Sequence, residues 1–305
     1  MMYNMIIFPK KDIIPIMVPQ ICFDDKYNNI NSYVEMNPSI NIDETGKVTI
    51  LVRCVNYKKY KELIFTLYGE VSNSIFYIIT GNLNKTNKLD IESFEYNILN
   101  YEYSLPIYST LWKGLEDIRF IDDKNILVIV PELNTSGNPC IFKAEINNNT
   151  IVNFTSCKPD YIEKNWMPYF DNTTYKVIYS LQPFLIKSIE TDIFEEIELS
   201  DLNKENLKGY HGSTNGIVLN NNERLFLIHI NKEITYQCWL LFNIETKDIL
   251  LSQEFIFFKN SYIEFPCSLT KYNDRFFISI GINDSKAFII ETNYADILST
   301  FTMTL

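Results

Sequence analysis

The sequence repeats one strand plan five times, and this repeat restricts the fold more than any other feature. Each copy has a polar motif, a short strand, a turn rich in Asn or Asp, and a more apolar strand. The copies begin near residues 37, 116, 165, 213 and 264, so the period is about fifty residues after a longer first interval. They read "NPSINIDETGKVTILVRCVN", "EDIRFIDDKNILVIVPEL", "NWMPYFDNTTYKVIYSLQPF", "STNGIVLNNNERLFLIHIN" and "EFPCSLTKYNDRFFISIGIND".

A third strand candidate follows each pair, in "KELIFTLYGEV", "CIFKAEIN", "PFLIKSIET", "YQCWLLFNIET" and "KAFIIETN". This plan predicts an all-β chain, a five-bladed β-propeller with a central channel, as one domain over residues 1–305. A β-sandwich or jelly roll is the alternative, but it has no reason to show a fixed period. We expect the segment up to about Gln20 to close the ring against the last blade, which removes an open sheet edge. Residues 60–115 are expected to complete the first blade and to add a long loop or an outer strand.

Composition excludes several classes of partner. The 305 residues carry a net charge of −11 and no basic run, which argues against nucleic-acid and anionic-membrane surfaces. No signal peptide or run of about 18 apolar residues is evident. The six cysteines are scattered singly, as is typical of reduced thiols, so we expect a cytoplasmic protein. The richness in Asn, Ile, Lys and Tyr points to an AT-rich source genome, and the oligomeric state stays open.

The polar motifs occupy one phase of the repeat, so their side chains should converge on the channel. They are Asn37, Glu116, Asp117, Arg119, Asn165, Trp166, Thr214, Asn215 and Glu264. A second ring comes from the following strands, with Arg53 in "LVRCVNY", Gln182 in "YSLQPF", His229 in "LIHI", and Asn283 with Asp284 in "GINDSKA". Asn56, also in "LVRCVNY", is a further candidate for substrate binding. The frame repeats while these side chains differ, which indicates a single-copy site. With only two histidines, no metal site is expected.

The order of the motifs resembles that of a known family. The motifs "NPSI", "LVRCVNY", "EDIR", "KNWMPY", "YSLQP", "GSTNGI", "LIHI", "IEFPCSL" and "GIND" run from about residue 37 to 290. They are similar to those of the five-bladed propellers related to family 130 of the glycoside hydrolases, which includes β-mannoside phosphorylases and hydrolases, with related mannosyltransferases.

The resemblance implies roles for individual residues. Family members carry Glu-Asp-Pro-Arg in the second blade, where the Asp is a general acid that acts through a sugar hydroxyl; Asp117 matches it, with Ile118 in place of Pro. Lys164 and His229 match parts of the phosphate-binding cluster of the phosphorylases. The blade-four motif is "HGST", without the family's arginine. No cofactor is implied, and inorganic phosphate is a co-substrate only in the phosphorylase case.

The residues themselves suit glycosidic chemistry in outline. Breaking the bond needs a proton donor for the leaving oxygen, and then a second carboxylate to activate water, or phosphate as nucleophile. Glu116 and Asp117 are neighbours in a strand, so they should point to opposite faces and cannot both be the pair. With Asp117 as the acid, Glu264 is the candidate base and Asp284 lies behind it. Candidate sugar-stacking aromatics are Trp166, Tyr169 and Tyr210.

Three readings of function remain open. The first is a carbohydrate-active enzyme that cleaves or forms a mannoside-like bond by phosphorolysis, hydrolysis or transfer. The second is a propeller that binds a glycan without catalysis, which the departures at Ile118 and "HGST" motivate. The third is a protein-interaction propeller. Acids, Arg and Trp gathered at the channel phase favour the sugar readings over the third.

Overall fold

The computed structural model describes residues 6–24, 30–60, 64–67, 71–157, 162–191 and 193–301. These residues form 28 strands and two short α-helices. The strands are β1 (Ile6–Ile7), β2 (Asp12–Ile16), β3 (Cys22–Asp24), β4 (Ile30–Ser32), β5 (Val34–Ile42), β6 (Lys47–Val55), β7 (Tyr57–Tyr60), β8 (Ile64–Leu67), β9 (Ser72–Asn82), β10 (Glu95–Tyr101), β11 (Trp112–Lys113), β12 (Glu116–Phe120), β13 (Asn125–Ile129), β14 (Ile141–Asn147), β15 (Thr150–Ser156), β16 (Met167–Phe170), β17 (Tyr175–Leu181), β18 (Phe184–Ser188), β19 (Phe194–Glu196), β20 (Tyr210–Gly212), β21 (Ile217–Val218), β22 (Glu223–Asn231), β23 (Thr235–Asn243), β24 (Ile249–Leu251), β25 (Phe255–Ile256), β26 (Glu264–Tyr272), β27 (Arg275–Ile282) and β28 (Lys286–Asn293). The helices are α1 (Asp201–Asn206) and α2 (Tyr294–Ser299).

Antiparallel meanders account for most of these strands. The first is β5–β6–β9–β10 and the second is β12–β13–β14–β15; a short parallel pairing of β10 with β15 joins them into one sheet. The third is β16–β17–β18–β19, and the fourth is built on β22 and β23, with β20 and β21 on one side and β24, β25 and β1 on the other. The fifth is β26–β27–β28 with β2 at its edge. The all-β prediction is therefore confirmed.

In four of the five repeats, the hairpin turn predicted between the first two strands is closed by a hydrogen bond from the backbone to an Asp or Asn side chain. Side-chain oxygens of Asp43, Asp122, Asp171 and Asn220 accept backbone N–H groups two residues ahead, at 2.9, 2.8, 3.1 and 3.0 Å. This local bond stabilises a tight turn without help from the rest of the fold. In the fifth repeat, Asn273 takes a left-handed φ of 52° instead. The turn signals in the sequence therefore mark real hairpins.

The apolar core is divided among the spaces between neighbouring meanders. One buried cluster joins Leu51 of the first meander to Phe142 of the second, and another joins Ile178 of the third to Phe226 of the fourth. A further cluster contains Ile50 of the first meander and Phe277 of the fifth. The fifth meander therefore packs against the first, so the order of packing returns to its start.

Part of the N-terminal segment pairs with the last meander. Asp12 to Ile16 run antiparallel to β28, with Ile14 opposite Ile289. The strand before it, β1, runs parallel to β25 in the fourth meander. The outer edge of β28 is thereby covered by β2.

The first repeat differs from its prediction. Its third strand is Ser72–Asn82 and not the stretch "KELIFTLYGEV", of which residues 61–63 and 68–70 lie outside the described residues. Residues Ile64–Leu67 pair with Tyr57–Tyr60 as a separate hairpin. This inserted hairpin explains the long first interval. The rest of that interval adds β10 and a loop before β11, as expected.

Two further findings concern the chain as a whole. No helix among the described residues has the length and apolar character needed to cross a membrane. Five of the six cysteines are buried and Cys22 is exposed, and all six are free thiols.

Candidate active site

One cavity of about 440 Å³ receives residues from all five meanders or the loops that precede them. Its walls are Asn37, Asp117, Lys164, Asn165, His211, His229, Asn231, Lys232, Glu233, Ile234, Thr235, Tyr262, Ile263, Glu264, Phe265 and Asp284. Seven of the residues predicted for a site are in this set, so the repeat phase does bring single-copy side chains to one place.

Left-handed backbone conformations place several of these side chains. Asn37, Asp117, Asn165 and Asp284 have φ values of 40°, 34°, 65° and 49°. Asn and Asp tolerate this region better than other non-glycine residues, because their short polar side chains bond locally. The strand pairing shifts register at Asn37 and again at Asp117, as in a β-bulge. A bulge changes the direction of a side chain, and such strained positions are common at functional sites.

Asp117 is held through one of its two carboxylate oxygens. Asn37 Nδ2 donates to Asp117 Oδ1 at 3.0 Å, and Arg53 Nη1 lies 3.3 Å from the same oxygen. Among the described residues, Asp117 Oδ2 has no hydrogen-bond partner. The side chain is 17% exposed and lies in the cavity wall. One oxygen is therefore fixed while the other is left to meet a ligand.

Arg53 binds both Glu116 and Asp117. Its Nη2 lies 2.9 Å from Glu116 Oε1, and its Nε donates to Ser74 Oγ at 3.0 Å. The expectation that Glu116 and Asp117 point to opposite faces is thus wrong, because the positive φ of Asp117 and the bulge break the alternation of the strand. Burial alone lowers the pKa of Arg53, but Glu116 and other nearby acidic groups, Asp117 among them, raise it by more, so the guanidinium stays charged.

His229 also lines the cavity. Its Nδ1 lies 2.7 Å from Ser213 Oγ, and its ring centre is 5.6 Å from that of His211. Burial lowers the pKa of His229 to about 3, and the nearby His211, Arg119 and Lys164 add to the effect. A neutral imidazole offers hydrogen bonds but no positive charge.

The low pKa of His229 predicts a pH-dependent stability. In the unfolded chain its pKa returns to about 6.5, so unfolding takes up a proton below that value and acid destabilises the fold. The contribution is fully present above about pH 6.5 and is lost towards pH 3, at up to about 1.4 kcal/mol per pH unit. The free energy of unfolding in urea should fall more steeply for the wild type than for His229→Gln between about pH 6.5 and 4.5. Parallel slopes would contradict the assignment.

Glu264 reaches the cavity wall, but both of its carboxylate oxygens are engaged. Oε2 accepts the backbone N–H of Phe257 at 2.7 Å, and Oε1 accepts that of Phe258 at 2.7 Å and the Ser261 hydroxyl at 2.5 Å. Burial raises the pKa of Glu264, and these hydrogen bonds oppose the shift. The side chain thus fixes the 257–261 segment at the edge of the cavity.

Three predicted site residues tie neighbouring strands together. Arg119 is buried, and its Nε donates to the backbone oxygen of Ser213. The Thr214 hydroxyl accepts a backbone N–H of β22 at 3.0 Å. Asn215 bonds the backbone of Leu269 twice, at 2.8 and 3.0 Å. These residues link the second, fourth and fifth meanders near the cavity without lining it.

Trp166 and Asn56 lie away from the cavity wall. Trp166 is only 1% exposed; its Nε1 donates to Glu163 at 3.0 Å, and Lys187 Nζ lies 4.7 Å from its ring centre. Asn56 accepts the backbone N–H of Asn73 at 2.7 Å. Trp166 belongs to the packing between the second and third meanders, and Asn56 closes a loop.

The aromatic side chains of the cavity are ones that sequence reasoning missed. They are Tyr262, which is 57% exposed, and Phe265. The predicted Tyr169 is buried in the core, and Tyr210 donates its hydroxyl to Glu254. Tyr262 and Phe265 are the first and last residues of "YIEF", close to the predicted Glu264 of the fifth repeat. Their closeness to Glu264 was the signal that could have identified them. The β22–β23 turn also lines the cavity, through Lys232 and Glu233. This turn lies outside the repeated motifs, so the repeat pattern did not predict these two residues.

The cavity has the donors and acceptors for a neutral, hydroxyl-rich ligand. Its walls carry Asn and Asp side chains together with Lys164 and two imidazoles. Within the described ranges, no group of three or more His, Cys, Asp or Glu side chains could hold a metal ion. The arrangement can bind a sugar, present one carboxylate oxygen to it and hold an anion nearby.

Comparison with known proteins establishes a shared fold. No protein-family model and no curated protein sequence matches the chain. A β-1,2-mannobiose phosphorylase from Listeria innocua, solved with β-1,2-mannobiose, matches with a TM-score of 0.61 and 14% identity over 95% of this chain and 96% of that one. A glycosyl hydrolase from Bacteroides ovatus matches with a TM-score of 0.58 and 13% identity over 95% and 94% of the two chains.

A third structure comes from work on the GH130 family of mannoside phosphorylases, which contains glycoside hydrolases that target β-1,2 mannosidic linkages in Candida mannan. It matches with a TM-score of 0.59 and 13% identity over 96% of each chain. This protein therefore shares the fold of these three structures over nearly its whole length.

Proposed function

We propose that the five meanders are the blades of a five-bladed β-propeller, formed as one domain by residues 1–305. Several features support this proposal: the five-fold repeat, the packing of the fifth meander on the first and the strand β2 at the edge of β28. Side chains also link the innermost strands, as Ser268 Oγ does by accepting the Ile40 N–H at 2.6 Å. The cavity then lies at one mouth of the central channel.

We further propose that the protein is a carbohydrate-active enzyme, related to family 130 of the glycoside hydrolases, that cleaves or forms a mannoside-like glycosidic bond. One observation carries the proposal: Asp117 lies in the cavity with Oδ1 held by Asn37 and Arg53 and with Oδ2 open. A proton donor for a glycosidic oxygen needs this combination of fixed position and free oxygen. Glu116 completes the network by sharing the charge of Arg53.

Other cavity residues fit supporting roles. Asn165 and Asp284 offer hydrogen bonds to sugar hydroxyls, and Tyr262 offers an exposed ring for the apolar face of a sugar. Lys164 and His229, which match parts of the family's phosphate-binding cluster, both line the cavity beside His211, and this supports a role for them in binding phosphate. No cofactor is part of the proposal, and phosphate enters only as a co-substrate of phosphorolysis.

A second candidate function is glycan binding without catalysis. The observation that favours it is the state of Glu264, whose carboxylate accepts three hydrogen bonds and is poorly placed to activate water. Inverting hydrolysis requires such a second carboxylate. Phosphorolysis needs no second carboxylate, because phosphate is the nucleophile. The hydrogen bonds of Glu264 therefore argue against hydrolysis with Glu264 as the base, but they do not argue against phosphorolysis.

Product analysis separates these functions. The wild-type protein is incubated with β-1,2-mannobiose, with and without inorganic phosphate, and the products are followed by NMR. Mannose 1-phosphate formed only with phosphate identifies a phosphorylase, and mannose formed without phosphate identifies a hydrolase. Binding without turnover of this or other β-mannosides would overturn the enzyme proposal in favour of the second candidate.

A further inference from the structure

We propose that Gly281 is a positioning residue for the acid. Because Gly281 has no side chain, Asn37 can occupy the position from which its amide donates a hydrogen bond to Asp117. The inference rests on the proposed function for its kinetic consequence. The contact between Gly281 and Asn37 can be tested without it.

Gly281 lies in β27, opposite Phe265 of β26. A Cβ at this position would lie 2.1 Å from Asn37 Oδ1 and 2.9 Å from the Asn37 backbone nitrogen. The φ of Gly281 is outside the left-handed region, so its own backbone does not require glycine. The requirement comes from the space that Asn37 occupies.

The backbone and the side-chain amide of Asn37 are both constrained. Its φ of 40° is unfavourable for most residues, and its side chain is almost fully buried. Nδ2 donates to Asp117, while Oδ1 has no hydrogen-bond partner among the described residues. A buried carbonyl oxygen without a donor is destabilising, so packing against Gly281 must hold it in place. The amide is thereby orientated with its donor towards the acid.

An added methyl group at residue 281 must displace Asn37. The nearest atom is the end of a side chain, which can move, but the backbone nitrogen at 2.9 Å restricts how far the residue can retreat. Movement of the amide removes one of the two groups that fix Asp117 Oδ1. A displacement of about 1 Å in catalytic geometry can cost on the order of 100-fold in rate.

The test compares two substrates in Gly281→Ala. β-1,2-mannobiose has a poor leaving group and needs the acid, whereas 2,4-dinitrophenyl β-mannoside has a leaving group that departs without a proton. We expect kcat on mannobiose to fall on the order of 100-fold, with KM nearly unchanged, and kcat on the aryl mannoside to change only a few-fold. Equal losses on both substrates, or no loss on mannobiose, would overturn the inference.

Gly216→Ala is the matched control. A Cβ at Gly216 would meet the Phe226 ring at 2.3 Å, so the steric conflict is similar but lies in a core packing site. We expect this variant to lose stability without changing the ratio of rates on the two substrates. A changed ratio would mean that the ratio reports general loosening of the fold.

Asn37→Gly provides the decisive background, because glycine accepts the left-handed φ and removes only the side chain. In this background Gly281→Ala should cost clearly less in rate and in urea stability than it does in the wild type, because the contact with Asn37 Oδ1 is gone and only the 2.9 Å approach to the residue-37 backbone nitrogen remains. Additive effects of the two substitutions would overturn the inference. If no glycoside is turned over, the proposed function fails, while the urea cycle still decides whether the two residues are coupled.

Discussion

Asp117→Asn is expected to lower the turnover of β-1,2-mannobiose by about 100-fold to 10,000-fold, because the amide cannot supply the proton that the leaving oxygen needs. Asn has nearly the size of Asp, so its Oδ1 still accepts from Asn37 and Arg53, and sugar binding should persist. Activity on 2,4-dinitrophenyl β-mannoside should largely survive, since that leaving group needs no acid. Initial rates on the two substrates, with calorimetric binding of mannobiose, measure all three expectations.

Asp123→Asn is the matched control for this variant. Asp123 accepts a hydrogen bond from Asn41 at 2.8 Å, so a second Asn–Asp contact joins β5 to the second meander, at its exposed end. The Asp123→Asn substitution should leave both rates unchanged. An Asp117→Asn variant that keeps its activity on mannobiose would remove Asp117 as the acid.

Arg53→Met is expected to cause the largest loss of stability, about 3–5 kcal/mol in the free energy of unfolding. Arg53 is only 4% exposed, and its removal leaves Glu116 and Asp117 close together without a counter-charge. Methionine keeps the apolar length of the side chain, so packing loss is small. Urea unfolding at neutral pH measures the difference.

Lys143→Met is the control for Arg53→Met, because it breaks an ion pair that is more exposed. Lys143 pairs with Glu190 at 2.6 Å, but Glu190 is more than half exposed, and surface pairs contribute about 0–1 kcal/mol. If Arg53→Met costs no more than Lys143→Met, Arg53 does not hold the two acids in the way described.

The frame of the fold could be predicted from the sequence because each repeat carries its own local signals. The Asx-type turns at Asp43 and Asp122 close hairpins through bonds two residues away, so short stretches suffice to find them. The pairing of the N-terminal segment with β28 followed from the need to cover an edge. The third strand of the first repeat could not be found, because the inserted hairpin "YKKY…IFTL" has the same strand-like composition as the strand it precedes.

The sequence predicts which positions contribute to the candidate site, but it predicts only in part which way their side chains point. Asn37, Asp117 and Asn165 share a repeat phase and a left-handed φ, and both facts direct them to the cavity. Thr214 and Asn215 share the phase but bond backbone groups instead. Thr214 accepts the N–H of Leu227 in its own meander, and Asn215 accepts that of Leu269 in the fifth meander, a contact between segments 54 residues apart. Strand alternation failed at Glu116 and Asp117 because a bulge is set by pairing geometry that the sequence does not state.

A crystal structure of the Asp117→Asn variant soaked with β-1,2-mannobiose would show whether residue 117 meets the bond to be cleaved. We predict that the disaccharide lies in the cavity between Asn37 and Tyr262. The glycosidic oxygen, or the sugar hydroxyl that relays its proton, should lie within roughly 2.6–3.2 Å of the side chain at position 117. A disaccharide bound elsewhere, or bound in the cavity with neither oxygen near position 117, would contradict it.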